Sequence, residues 1–494
     1  MTHVATHPTS TTTERATVQA RSARASAAHV LDSVPFRWTR REAHTLPVEV
    51  HGSVPAWLRG QLVRTAPAVF DVGSWQAAHW FDGLGLLYGF SIDDAGVRFT
   101  QRALDSAAGR EIARGGRKTA SFDTAMQRNW LQRLVAPVPP STDNANVNVV
   151  PWQGGWLAMT ETPHQHVIDA GDLASRGLYA YEDSLPDAMS MTAHPHFDFQ
   201  RNAMVNVGIT FGPKSELWVL RHEASGRVRE VEGKLALKRM PYVHDFGLTP
   251  RHAVVIGHPY DVSALSLLFS NRGFIEHFRW QPEQGTHLWV LDRARGTWTE
   301  YQTDPLFCFH TVNAFDDGDD VVLDMVAYDD PSVIASLTTD RVQRGLPTLS
   351  TRYVRARMRP GKKHAELTTL SDARFEFPSI PYRAQHGHAY ETAWGASLLE
   401  DGHGGIATEI VRVDLARASV ARFAEPGVIH GEPIFVPRPG ATRADDGVLL
   451  SVGSDVAAER SVLTVLDATQ LEPLARCEVP LSLPLGFHGN FKSA

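Results

Sequence analysis

The chain has 494 residues, 48 Lys and Arg against 55 Asp and Glu, a formal net charge of −7, and two cysteines, Cys308 and Cys477. With no basic block and so few thiols, a nucleic-acid binder, a disulfide scaffold and a cysteine-rich zinc site are all excluded. Apolar residues at 43% and charged residues at 21% describe an ordinary globular chain with ample core.

Residues 1–33 are rich in Thr, Ala, Ser and Arg, with no apolar run long enough for a signal or a membrane span. A disordered tail is expected there, followed by a single domain over 34–494. The low cysteine count suits a reducing compartment, and a cytoplasmic protein is expected. From residue 34 onward, short apolar strands alternate with Gly, Pro, Asp and Asn turns. Arg64-Thr65-Ala66-Pro67 and Phe81-Asp82-Gly83-Leu84-Gly85 read as turns, and 91–100 as a hairpin through Asp93-Asp94-Ala95-Gly96. Two stretches instead follow helical spacing: Met126, Trp130, Leu131, Leu134 and Val135, then Leu265, Leu268 and Phe269 within 262–280. They read as caps over the core or, with their basic flanks, as an apolar patch for peripheral membrane contact through 126–135 and 262–278.

An internal echo runs through the chain: an apolar residue or pair, then Asp and a turn. It occurs at Val167-Ile168-Asp169, Val290-Leu291-Asp292, Arg412-Val413-Asp414 and Val465-Leu466-Asp467. An Asp there can bond its own turn backbone and so mark a hairpin corner. Unevenly spaced hairpins of this kind suggest β-propeller blades with long insertions, a pair of sandwiches being the alternative. The blade number is not fixed by these signals.

Leu306 to Asp317, LFCFHTVNAFDD, carries a histidine in an apolar strand. By strict alternation Leu306, Cys308, His310, Val312 and Ala314 share one face, and 321–328 returns as the next strand. Three similar stretches surround His194, His244 and His488. Successive histidines lie 50, 66 and 178 residues apart, so no local motif joins them. A closed radial fold could bring them to one axis. Glu161, Glu376 and Glu432 sit in equally apolar settings, where a carboxylate is costly unless paired. A metal-bound imidazole needs its other N–H accepted, commonly by a carboxylate. The competing reading uses the His-x-His pairs 164/166, 194/196 and 386/388, which can share a strand face and bind zinc.

Taken together, these stretches, with the segments around Arg64 and Asp82, resemble the carotenoid cleavage oxygenase family. The stretches 141–149, 192–196 and 376–380 are similar to its animal-type branch of β-carotene oxygenases and the retinal-pigment-epithelium isomerohydrolase. The resemblance implies an all-β, seven-bladed propeller with a helical cap over an axial metal site. It implies His194, His244, His310 and His488 as ligands of a non-haem Fe(II). Glu161, Glu376 and Glu432 would back His244, His310 and His488 respectively, and Val147 would shield an open coordination position. The implied partners are O2 and an apolar polyene, and the implied reaction is oxidative cleavage of a carotenoid or apocarotenoid double bond, with central 15,15′ cleavage of β-carotene to retinal in first place. Iron-dependent retinoid isomerohydrolysis is the alternative, and a non-catalytic propeller binding an apolar ligand a third. Cleavage of a phenolic stilbene-type alkene is a further possibility, against which stands the absence of a lysine near 144–148.

Overall fold

The computed structural model of the protein describes residues 36, 38–344, 350–400 and 406–494; the expected tail, 1–33, lies outside them. Among the described residues, seven antiparallel sheets contain four or five strands each. In chain order, their inner portions are Asn148–Trp152, the pair Ser190–Met191 and His196–Asp198, Phe246–Leu248, Phe307–Asp317, Glu376–Ser379, Val428–Pro437 and Gly60–Val69 with Gly489–Ser493.

The ring is visible in the packing. Each neighbouring pair of sheets shares its own apolar core. Val205 and Leu217 meet Phe246 and Val255 in one interface, and Val254 and Leu288 meet Leu323 and Ala356 in the next. Val322 and Tyr353 meet Ala393 and Val411, and Trp394 and Ile410 meet Leu449 and Leu466. The circuit continues with Leu450 and Leu463 against Leu62 and Phe90, Val63 and Leu87 against Trp156 and Ile168, and Leu157 and Met159 against Ala193 and Met204. Seven interfaces among seven sheets close a seven-bladed β-propeller, the architecture anticipated above. Closure interlaces early and late segments: Gly489–Ser493 pairs with Gly60–Arg64, and Glu49–Gly52 adds to the sheet of Val428–Pro437.

The repeated Asp corner has a structural role. Asp169, Asp292, Asp414 and Asp467 each follow or end the third strand of a blade and accept backbone N–H groups from the next turn. Three local expectations need correction. Arg64 to Pro67 is not a turn but the buried middle of the strand Gly60–Val69. Alternation fails in Phe307–Asp317, because register shifts flank Thr311. Cys308 and Ala314 therefore face one neighbouring blade while Val312 packs toward the other. The helical stretches are also shorter than their spacing predicts. Helix covers only Trp130–Val135 in the first and Ala264–Leu267 in the second, with a 3-10 turn at Ile275–His277.

These pieces form the cap. Arg128 donates to the carbonyls of Ala136 and Ser270, and Phe269 N–H to Pro137, tying both segments together. Some of their apolar side chains point outward, Trp130 being 69% exposed, Val135 78% and Leu265 76%, while Met126, Ile275 and Phe278 are buried. Tertiary hydrogen bonds and the packing of Leu267, Phe274, Ile275 and Phe278 against the propeller core together hold the cap. No helix among the described residues is long and apolar enough to cross a membrane.

Candidate metal centre

Four blades send one histidine each to the axis. His310 lies within Phe307–Asp317, His194 between two short inner strands, His244 two residues before Phe246–Leu248 and His488 immediately before Gly489–Ser493. All four are buried. One ring nitrogen from each lies within 4.8 Å of the others. Nε2 of His310 is 3.3 Å from Nε2 of His244 and 3.1 Å from that of His488.

Three of the rings are oriented by carboxylates. His310 Nδ1–H donates to Glu376 at 2.6 Å and His488 Nδ1–H to Glu432 at 2.8 Å, while His244 Nδ1 contacts Glu161. Among the described residues, no carboxylate bonds His194. A proton on Nδ1 leaves the Nε2 lone pair directed inward. Burial, then the neighbouring imidazoles, hold His194 and His488 far below the usual histidine range. Burial also acts to lower His310, but the Glu376 carboxylate outweighs it and the net direction is upward. Glu432 is pushed up to about 7 by burial, with Arg64 opposing.

The histidines at 194, 244, 310 and 488 fit a metal ion on the structure's own evidence. Nε2 of His194 is buried without a hydrogen-bond partner, and imidazole nitrogens that face one another at about 3 Å as lone pairs repel unless they share a cation. Four neutral imidazoles suit a divalent first-row metal. The His-x-His alternative is not assembled. His166 bonds Ser175 and the Asp143 carbonyl, and His196 turns away to Phe246 O at 2.7 Å and Tyr382. His386 stacks on His196 and Tyr382.

Several supporting residues escape a reading of the sequence. Tyr242 donates to Glu161 at 3.2 Å and Tyr328 to Glu376 at 2.5 Å. Tyr242 stands two residues before His244, an i, i+2 relation in extended chain that could have flagged it. Asp245 accepts from the N–H and hydroxyl of Thr311, both at 2.8 Å, locking the two inner segments that carry His244 and His310. Phe377 has a φ of +54°, a left-handed conformation rare for an aromatic residue. Its ring lies 5.6 Å from His310 and 5.1 Å from His488.

A cavity of about 700 Å3 reaches the centre. His244, His310, His488, Glu161 and Val147 line it at the axis, and Met126, Leu265 and Phe274 line it within the cap. Between them stand Trp80, Phe81, Phe122, Phe309 and Phe487, with Phe81 5.1 Å from Phe122 and 5.2 Å from Phe487. The wall is thus mainly aromatic and aliphatic, and Glu161 and Glu376 both reach it beside the histidines, Glu161 22% exposed against 7% for Glu376.

A seven-bladed propeller with four convergent histidines and an apolar cavity defines a class of metal-centre protein. The family model described as retinal pigment epithelial membrane protein matches residues 36–493, and the chain belongs to that family, which includes the carotenoid cleavage oxygenases. The family is metal-dependent. The chain is similar to carotenoid cleavage dioxygenase 8 homolog A, chloroplastic, of Oryza sativa subsp. japonica, at 33% identity over 476 residues, covering 90% of this chain and 84% of that one. It is similar to β,β-carotene 15,15′-dioxygenase of Rattus norvegicus at 26% identity, covering 92% and 90% respectively. A variant of Synechocystis apocarotenoid oxygenase shares the fold with a TM-score of 0.83 at 23% identity, over 93% of this chain and 98% of that one.

Proposed function

We propose that the protein is a non-haem Fe(II) dioxygenase that cleaves a carotenoid or apocarotenoid double bond to aldehydes. The observation that carries this reading is the junction of an apolar cavity with four convergent, buried imidazoles. His194, His244, His310 and His488 would hold the iron, which when bound supplies the means to activate O2 against an electron-rich alkene. Glu161, Glu376 and Glu432 hold a proton on Nδ1 of their histidines and so keep Nε2 free. Val147, at the cavity wall, narrows the space beside the centre.

A polyene offers almost no polar handle, so the wall must select by length and shape. Phe81, Phe122, Phe309 and Phe487 suit a flat conjugated chain and exclude water from the histidines. Glu161 is already engaged by His244 and Tyr242, so cleavage is not assigned a general base. Central cleavage of β-carotene to retinal is the particular reaction proposed, supported by the whole-length similarity to the rat enzyme. The exposed cap, through Trp130, Val135 and Leu265, would rest on a membrane surface and pass the substrate inward.

The test is incubation of iron-loaded protein with β-carotene under air and under argon, with products identified by mass. Retinal formed in air and absent under argon is the expected result. An isomerised retinoid under argon would replace this reading with isomerohydrolysis, and no turnover of any polyene would leave a binding protein.

A further inference from the structure

The glutamates behind the histidines are not held alike. Glu161 and Glu376 each accept from a tyrosine, whereas Glu432 faces Arg64, whose side chain is 1% exposed. The Arg64 guanidinium lies 3.3 Å from Glu432 Oε2. It also donates to the Glu432 carbonyl at 3.1 Å and to the Phe487 carbonyl at 2.8 Å. Glu432 in turn accepts from His488 Nδ1 and, at 3.0 Å, from the Gly489 N–H. The next residue extends the same grip: Thr65 donates its N–H to the His488 carbonyl at 3.0 Å and accepts from the Phe487 N–H at 3.0 Å.

Glycines on both sides of His488 make the arrangement possible. A Cβ at Gly489 would collide with the Arg64 side chain, and one at Gly486 with the Tyr88 hydroxyl. The other three histidines come from segments in the middle of the chain. His488 alone belongs to the segment whose pairing with Gly60–Arg64 closes the ring.

We infer that Arg64 is a positioning residue for the fourth histidine: by joining Gly60–Val69, Glu432 and the closing segment, it couples retention of the metal to closure of the propeller. The inference rests on the four histidines holding a metal. Coupling of this kind is reciprocal. A metal bound at the axis therefore strengthens the seam between Gly60–Arg64 and Gly489–Ser493, and loosening the seam weakens the metal.

The experiment titrates the full chain with cobalt(II), read by visible absorption, and follows amide exchange over 489–493 with 286–292 as reference. In wild type, one equivalent of cobalt is expected to slow exchange over 489–493 at least tenfold and to leave 286–292 unchanged. Arg64→Met is expected to weaken cobalt affinity at least tenfold, alter the cobalt spectrum and speed exchange over 489–493 alone, with partial recovery in Arg64→Lys. Wild-type affinity and seam exchange in Arg64→Met overturn the inference. Should that variant not fold, the wild-type comparison decides, and equal seam exchange with and without cobalt overturns it. Failure of the underlying reading looks different: cobalt retained at wild-type stoichiometry in His310→Ala removes the metal site itself, whatever Arg64 does.

Discussion

The axis and the cap of this propeller are built on opposite plans. At the axis, histidines stand on or beside inner strands of large sheets, with rings fixed by buried carboxylates and inter-blade cores on either side. The cap consists of short helices and turns held by backbone carbonyls accepting from Arg128, and it turns Trp130, Leu131, Leu134 and Val135 outward. A reacting centre needs fixed geometry, while a gate for an apolar molecule needs an apolar surface that can yield. The difference teaches that one chain buries its apolar residues around the axis and leaves several exposed on the cap, the surface on which the proposed membrane contact would depend.

The strongest way to break the comparison is at the axis. His310→Ala is expected to lose most bound iron and all cleavage activity while keeping its circular dichroism, checked by metal analysis and product assay. Wild-type iron in that variant would count heavily against a single four-histidine centre. Next in size are the glutamates. Removal of a carboxylate behind a metal-bound histidine costs roughly 10–100-fold in metal affinity. Glu376→Gln is expected at the upper end, because Glu376 is the more buried of the two, and Glu161→Gln at the lower end, since water can replace part of its role. Competition with a chelator measures both, and a reversed order would dissolve the distinction between the more and the less buried carboxylate.

The cap should respond in the opposite sense. Trp130→Ser with Val135→Ser is expected to reduce liposome binding several-fold and leave turnover of detergent-dispersed substrate within about twofold, since neither residue lines the cavity. Unchanged liposome binding would remove the membrane role. The smallest expected effect tests how the helix Ala107–Ala113 is joined to the propeller. Asp143 accepts from the N–H groups of Ala107 and Ala108 at the start of the helix Ala107–Ala113, and its carboxylate lies 3.4 Å from His166 in a blade. Burial alone would raise its pKa, but His166 and the two N–H groups bring it down to about 2. A depressed folded-state value means that its stabilisation is full above the unfolded value near 4 and fades as pH falls toward 2. The Tm difference between wild type and Asp143→Asn should therefore be larger at pH 7 than at pH 2.5, and a constant difference would show that the carboxylate charge is not what joins the two regions.

What could be read beforehand was whatever repeats or carries an uncompensated cost. The Asp corners at 169, 292, 414 and 467 recur because each blade must turn a hairpin. Histidines and glutamates in apolar stretches stood out because burying them unpaired is expensive. The blade count stayed hidden because insertions make the spacing uneven. The register shifts beside Thr311 were not legible either, since alternation assumes a regular ladder and His310 is re-aimed by an irregular one. Nor could the cap helices be sized, because local spacing does not record where Asn129 and Ser263 begin them or where Pro137 and Phe269 cross over. Arg64 was misread for the same reason: its partners Glu432 and Phe487 lie more than 360 residues away.

The closing seam also bears on biosynthesis. The strand Gly489–Ser493 leaves the ribosome long after its partner Gly60–Arg64. For most of translation the early strand waits with an unpaired edge, a hazard for aggregation. No nascent chain can present all four histidines until His488 has emerged, so a metal held by all four could be acquired only after nearly all the propeller has been made. A chain cut even a few residues before His488 would be released without a complete centre.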